Sequence, residues 1–343
     1  MNKNRNALSL GPFEIGKIRN ERIVLTNFVP WFEEIMATSL DINANYFVSI
    51  GWYSEFPETG FYYKSLKEVI NSYPNIRFTI LLNCPTSYHC FREKLPEIPC
   101  AYVSELLPFF IRHNYGEIFK PLPGPRHVKY SAVLAARRFP YKNRDLASGV
   151  ENIALVTQGG AEIDPDVHFP SYLNTKFLTH SEINVIFNHS ACGLMLSFVE
   201  GAGRTTIEYL LSGLPIISFQ SKGGRHVFLD EENSIVLQRL PGRRDAMKQS
   251  VNQAVKSVTQ GMLFNRTRIR TRALRRLSWF YDRLALAIAN SMGINASELA
   301  SEIAMSILST CPSIIQVLRL DPLPPVERTI GEPVFISSGS SET

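Results

Sequence analysis

Residues 196–219 read LSFVEGAGRTTIEYLLSGLPIISF. An apolar run stops at Ser197. A turn carrying Glu200, Gly201 and Gly203 follows, a helix begins near Arg204, and a second apolar run, PIISF, closes the unit after Gly213. Two strands joined through a helix cannot form a hairpin. They pair in parallel, and parallel sheets are covered by helices on both faces. This one stretch commits the chain to the α/β class.

The same alternation extends in both directions. YFVSI (46–50), RFTILL (77–82) and PCAYV (99–103) read as strands, with helices over 63–72 and 104–111. IVLTNFV, within 21–32, is a further candidate strand in an irregular neighbourhood, and GPFEIG (11–16) carries glycines without a preceding strand. The first part of the chain thus shows about three clear strands. FKPLPGPRHV (119–128) is a Pro- and Gly-rich break and places a domain boundary near residue 125. Beyond it, strands are read over 130–136, 152–160, 192–197, 215–219 and 234–238. Helices are read over 142–150, 181–187 with Ser181 as cap, and 204–212. From Arg266, Ile269, Ala273, Leu277, Phe280, Leu284 and Ile288 recur at steps of four and three, which makes one apolar stripe along a long helix. The expected division is 1–125, 126–320, and a loose Pro-, Gly- and Ser-rich tail over 321–343.

Composition sets outer limits. The chain has 343 residues, enough for about two domains. Hydrophobic residues at 45% and charged residues at 20% exclude a disordered chain. The net charge of +5 is spread along the sequence and does not argue for nucleic acid. The cysteine count is odd, at five, and no C-x-x-C occurs, so a disulfide framework is not expected and a cytoplasmic setting is. No apolar leader opens the sequence, and no run approaches the ~20 residues of a membrane helix.

Chemistry is concentrated in two places. In the 196–219 unit the glycines permit close backbone approach to a ligand. The helix start offers unpaired N–H groups and a positive dipole end, which suit a diphosphate. Glu200 and Glu208 would repel a phosphate, so hydroxyls of a sugar or ribose are their natural partners. In AARRFPYKN (135–143), Arg137 and Lys142 flank a turn containing Pro140 at the C-terminal edge of a strand, where open α/β sheets bind ligands. Two cations there suit a leaving group that gains negative charge.

This ordered set resembles the nucleotide-sugar domain of GT-B glycosyltransferases, in particular the retaining family 4. Arg137 and Lys142 match its Arg-x4-Lys. Glu200 and Glu208 match its E-x7-E, set among Ser197, Gly201 and Gly203, with Gly213 and Pro215 after them. KGG (222–224) and DEEN (230–233) resemble its Gly-Gly loop and D-x-x-N turn. The likeness covers about residues 129–240. It implies a GT-B-like α/β fold with two Rossmann-like domains facing a cleft, the N-terminal one shortened. It implies retaining transfer of a sugar from a nucleotide-diphosphate sugar to a hydroxyl acceptor, in surface polysaccharide or glycolipid biosynthesis, with no metal and no further cofactor. Arg137 and Lys142 would hold the diphosphate, Glu200 the sugar, and Glu208 the ribose. Gly201, Gly203, Arg204 and Thr205 would line the donor site, the last three through backbone N–H groups. The family's first-domain histidine has two candidates, His89 after LLNCPTS and His113, of which His89 is the expected one.

Other signals have plainer readings. Asp164-Pro165-Asp166, beside His168, follows Gly159-Gly160 and reads as a surface turn rather than a metal site. Trp52 and Tyr53 could line an acceptor cleft or pack in a core. Seven arginines between 266 and 283 form either a solvated face or a peripheral contact with an anionic membrane at its inner face. A non-catalytic GT-B-like module that binds a nucleotide sugar or supports a partner enzyme is the alternative function, and a GT-B sugar epimerase a third.

Overall fold

The computed structural model describes residues 12–27, 40–50, 60–125, 127–157, 167, 170–201, 203–261 and 264–295. Two sheets organise them. The first has the order β1-β2-β3-β4-β5, from β1 (Phe13–Ile18), β2 (Glu21–Asn27), β3 (Ala44–Ser49), β4 (Arg77–Leu82) and β5 (Cys100–Tyr102). β1 and β2 are antiparallel, and the remaining pairs are parallel.

This corrects the sequence reading of the first half. The sheet has five strands rather than three clear ones: the candidate strand IVLTN lies in β2, and FEIG, read only as a glycine-bearing stretch, lies in β1. The reversal at Arg19-Asn20, both with positive φ, makes the hairpin. That turn lacks the usual glycine, so the local sequence carries no hairpin signal. Helix α1 (Gly60–Ser72) precedes β4. α2 (Pro85–Lys94) follows it, capped by Cys84, whose thiol accepts from the Ser87 N–H. α3 (Leu106–His113) and α4 (Tyr115–Ile118) follow β5.

The second sheet is all parallel, from β6 (Tyr130–Ala135), β7 (Ile153–Val156), β8 (Tyr172–Leu173), β9 (Ser190–Met195), β10 (Ile216–Phe219) and β11 (Ser234–Leu237). Its order is β11-β10-β9-β6-β7-β8. Read from the β8 edge and numbered within this half, that is third–second–first–fourth–fifth–sixth, the doubly wound order whose direction reverses between first and fourth strands. The reversal lies between β6 and β9.

Helices α5 (His180–Asn188), α6 (Arg204–Leu211), α7 (Arg244–Gln260) and α8 (Arg266–Met292) follow, with a 3-10 turn over Gly224–Phe228 after β10. α5 is capped by Thr179 in a capping box with Glu182, so the cap falls two residues before Ser181. No 142–150 helix forms. Two 3-10 turns, Pro140–Lys142 and Arg144–Ala147, take its place, separated by Asn143 in the left-handed conformation.

Strand alternation sorts the core. In the first sheet Val24, Tyr46, Val48 and Ile80 pack with Leu66, Val69 and Phe91 of α1 and α2. Leu25, Phe47 and Leu81 point the other way, into a core shared with α3, α6 and α8. In the second sheet Leu134, Leu155, Leu194 and Ile217 face Met247 and Val251 of α7, and Val133, Ala154 and Ile216 join the shared core. The six α8 stripe residues are all buried. The sequence places α8 with the second half. Its C-terminal part also packs on the first sheet, where Tyr102 meets the Phe280 ring edge-on and accepts at its carbonyl from Arg283.

Arg266, Arg268, Arg270, Arg272 and Arg283 of α8 bond acceptors within the fold. Arg266 donates to the Gly213 carbonyl and Asn188, Arg270 to the Gly116, Phe119 and Leu211 carbonyls, and Arg272 pairs with Asp230 and Glu232. Arg268 also pairs with Glu232. The DEEN turn thus anchors this helix, with the Asp230 N–H donating to the Asn233 side-chain oxygen and the Asn233 N–H to the Asp230 carbonyl. This corrects the expectation of a wholly solvated arginine face, because the sequence pattern does not show these internal acceptors. Among the described residues no helix is long and apolar enough to cross a membrane.

Candidate functional site

The site forms at the C-terminal ends of β6 and β9, at the reversal point of the second sheet. β6 leads to Arg137 and then to the Pro140–Lys142 turn. Asn143, with φ of 49°, ends that turn, and its amide donates to the Leu196 carbonyl at 3.1 Å, just past β9. This ties the two strand ends together. Lys142 consequently reaches Glu200 and forms an ion pair with it, both side chains being 15% exposed.

Glu200 is held from its other side as well. Ser197 lies 2.5 Å from its Oε2, and Arg225 Nη1 lies 3.5 Å away. Arg225 is fully buried and donates to Ser197 Oγ, the Ser197 carbonyl and the Phe219 carbonyl. Burial acts to raise the Glu200 pKa, but Lys142 and Arg225 outweigh it and hold the carboxyl below its ordinary value. Burial lowers Arg225 to about 10, so it stays charged at neutral pH.

The backbone after β9 is held by Lys222. Its N–H donates to the Phe198 carbonyl, and its carbonyl accepts from the Glu200 N–H. Gly203 then opens α6 at φ 65°. A Cβ there would lie 3.2 Å from Thr206 Oγ1 and 3.3 Å from Met195 Cε, so both conformation and space select glycine. Arg204 and Thr205 form the first turn of α6, where N–H groups have no partner within the helix. Gly201 is buried before it.

α6 is fixed against the sheet by Tyr209. Its hydroxyl accepts from the Ala135 N–H and donates to the Val133 carbonyl, both on β6. Its ring lies where a Cβ at Gly193 would be, 2.5 Å away. Glu208, one residue earlier, faces Arg204 and the Tyr115 hydroxyl. Burial raises its pKa to about 7, against the opposing pull of Arg204 and the Tyr115 hydrogen bond.

The expected residues therefore divide clearly. Lys142 and Glu200 are in contact. Arg137 lies within electrostatic reach of Glu200 and Arg204, and burial, then Arg204, lowers its pKa. Arg204 also stacks over the Phe109 ring at 4.8 Å. Glu208 sits on the helix that Gly203 begins. His89 is not brought in: it stands exposed on α2 against the Tyr88 ring. His113 is the first-half histidine beside α6, stacked between Phe109 and Tyr115. Burial, then Arg112, His180 and Arg204, push it down to about 4, which leaves it neutral at pH 7. Asp164, Asp166, His168, Trp52 and Tyr53 lie outside the described residues.

Sequence reasoning missed Arg225, Asn143 and Tyr115. Arg225 had a signal, since it follows Gly223-Gly224 at the end of a third strand on the same edge. Asn143 had a weaker one, as an asparagine able to adopt the left-handed conformation after Pro140. Tyr115 had none, because nothing local links it to α6.

The arrangement can do specific chemistry. Arg137, Lys142, Arg204 and Arg225 surround two carboxylates, Glu200 and Glu208. A positive surplus remains that suits an anion, beside carboxylates that suit hydroxyl donors.

No protein-family model matches the chain, and no curated protein matches it. Among solved structures it is similar to TarM, with a TM-score of 0.52 at 14% identity over 83% of this chain. The chain spans about half of TarM's length, 54%. Sucrose-phosphate synthase from Thermosynechococcus elongatus matches over 79% of this chain and 72% of its own, at 13% identity and a TM-score of 0.48. A TarM variant from S. aureus, in complex with fondaparinux, alpha-GlcNAc-glycerol and UDP, matches over 80% of this chain and 53% of its own, at 12% identity and a TM-score of 0.45. The fold is GT-B-like α/β, with two Rossmann-like sheets.

Proposed function

We propose that this chain is a retaining glycosyltransferase that moves a sugar from a nucleotide-diphosphate sugar to a hydroxyl acceptor, in surface polysaccharide or glycolipid biosynthesis. The observation that carries this reading is the meeting of Lys142 and Glu200 at the reversal point of the second sheet, with Arg137 and Arg204 in electrostatic reach. That is where doubly wound sheets bind nucleotides.

In this reading Arg137, Lys142 and the first N–H groups of α6 hold the diphosphate. Glu208 accepts from the ribose hydroxyls, and Glu200 from hydroxyls of the sugar. The bond between the sugar's anomeric carbon and the diphosphate oxygen breaks, and its electron pair leaves with the diphosphate. The acceptor oxygen bonds to the same face of that carbon, and its proton passes to the departing diphosphate. The cations stabilise charge that grows as the bond breaks, which lowers the barrier. Buried Arg225 keeps Glu200 ionised and fixed rather than touching the donor.

The test is a panel of UDP-, GDP- and ADP-sugars scored for thermal shift and donor hydrolysis. One donor should raise the melting temperature and be turned over. No response to any donor would favour the non-catalytic module.

A further inference from the structure

Glu208 has a partner from the other half of the chain. Tyr115 opens α4 and is 1% exposed, and its hydroxyl stands between the Glu208 carboxylate, toward which it donates, and the Arg204 guanidinium, from which it accepts. Its ring is gripped by Phe119 edge-on at 5.2 Å, by stacked His113 at 5.5 Å and by His180 edge-on at 5.4 Å. The backbone beneath it is fixed as well. Arg270 of α8 donates to the Gly116 carbonyl at 2.8 Å in α4 and to the Leu211 carbonyl at 2.7 Å at the end of α6. One guanidinium therefore holds both the helix bearing the phenol and the helix bearing the carboxylate.

We propose that Tyr115 is a positioning residue: reaching across from the first half, its hydroxyl fixes one oxygen of Glu208 and leaves the other to accept from vicinal hydroxyls of a bound nucleotide. The inference rests on the reading of Glu208 as the ribose-binding carboxylate. Packing alone does not need the hydroxyl, since a phenyl ring would fill the same space between Phe119, His113 and His180. The hydroxyl is there to bond, and the bond favours the ionised carboxylate.

The groups that face Glu208 are few enough to interpret. Arg204 lies one turn earlier on α6, Tyr209 follows on the same helix, and Tyr115 comes from α4. His113 and His180 stand behind the phenol. Burial lowers both, with Arg204 adding to each, so neither gains a proton near pH 7. A carboxyl titration near neutrality in this cluster belongs to Glu208.

The experiment is a 13C titration of the glutamate carboxyls in the full chain, with Glu208 assigned by its loss in Glu208→Gln. Tyr115→Phe keeps the ring and should move the Glu208 midpoint upward by about one pH unit. UDP, GDP and ADP are then titrated by calorimetry. For the nucleotide that binds, Tyr115→Phe should weaken affinity more at pH 6.5 than at pH 8.5. An unmoved midpoint, or an affinity loss equal at both pH values, overturns the proposal. Should Tyr115→Phe not fold, the ring carbon bearing the Tyr115 hydroxyl in the unaltered protein should shift with the Glu208 midpoint, and independence of the two overturns it. A moved midpoint with no nucleotide bound by the unaltered protein leaves the positioning role standing and removes the donor reading.

Discussion

Gly224 lies against Asn83 so closely that a Cβ on the glycine would stand 2.8 Å from the Asn83 carbonyl oxygen. Gly224 follows β10 in the second sheet, and Asn83 follows β4 in the first. Asn83 cannot retreat easily, because its side-chain oxygen accepts from the Glu105 N–H at 2.6 Å. Gly224→Ala should therefore push the two halves apart and cost about 1–3 kcal/mol. Urea unfolding would register this as a lower midpoint. An unchanged midpoint would mean that the contact is looser than the geometry states.

Arg225 gives a second prediction. It is fully buried and bonds Ser197 and the Phe219 carbonyl beside Glu200. Arg225→Met removes the charge and leaves these acceptors unpaired, at a cost of about 3–5 kcal/mol. Arg225→Lys keeps the charge and loses the fork, so its cost should be smaller. Arg225→Met should also lift the Glu200 carboxyl toward its ordinary value, and Arg225→Lys should lift it less, which carbon-detected titration can follow.

The pH dependence of stability follows from Glu208. Its folded carboxyl titrates at about 7, against 4.5 for the unreacted group. The folded state binds its proton more tightly than the unfolded state, so the contribution is fully present below pH 4.5 and is lost as pH rises through 7. The loss is about 3 kcal/mol. Glu208→Gln does not titrate. Its stability relative to the unaltered protein should rise by that amount between pH 4 and pH 8, as read from urea unfolding at each pH.

How much of this was legible in the sequence depends on where the constraints act. The second sheet was legible because each parallel strand is a short apolar run with a turn after it. Lys142, Glu200 and Glu208 were legible because they sit at strand and helix ends within that rhythm. The β1–β2 hairpin was not, because Arg19-Asn20 makes a left-handed turn without glycine. The 142–150 segment was misread as helix because its break depends on Asn143 bonding to Leu196, a contact across the sheet. Tyr115 and Arg225 act through neighbours remote in sequence. Periodicity reports burial and cannot report which carbonyl an arginine will find.

The α8 arginines illustrate the same limit and make a fourth prediction. Seven cations in one helix read as a surface, yet Arg272 bonds Asp230 at 2.9 Å and Arg270 bonds carbonyls of α4 and α6. Arg272→Ala should lower the unfolding midpoint. Sedimentation with phosphatidylserine vesicles should be the same for the variant and the unaltered protein.

The central claim is that the turn after β6 supplies the cation for a donor diphosphate. It is tested most directly by comparing Lys142→Ala with the unaltered protein in turnover of the nucleotide sugar identified by the donor panel. The account predicts a loss of about 3 kcal/mol of transition-state stabilisation, close to a hundredfold or more in kcat. Turnover by Lys142→Ala equal to that of the unaltered protein would contradict it.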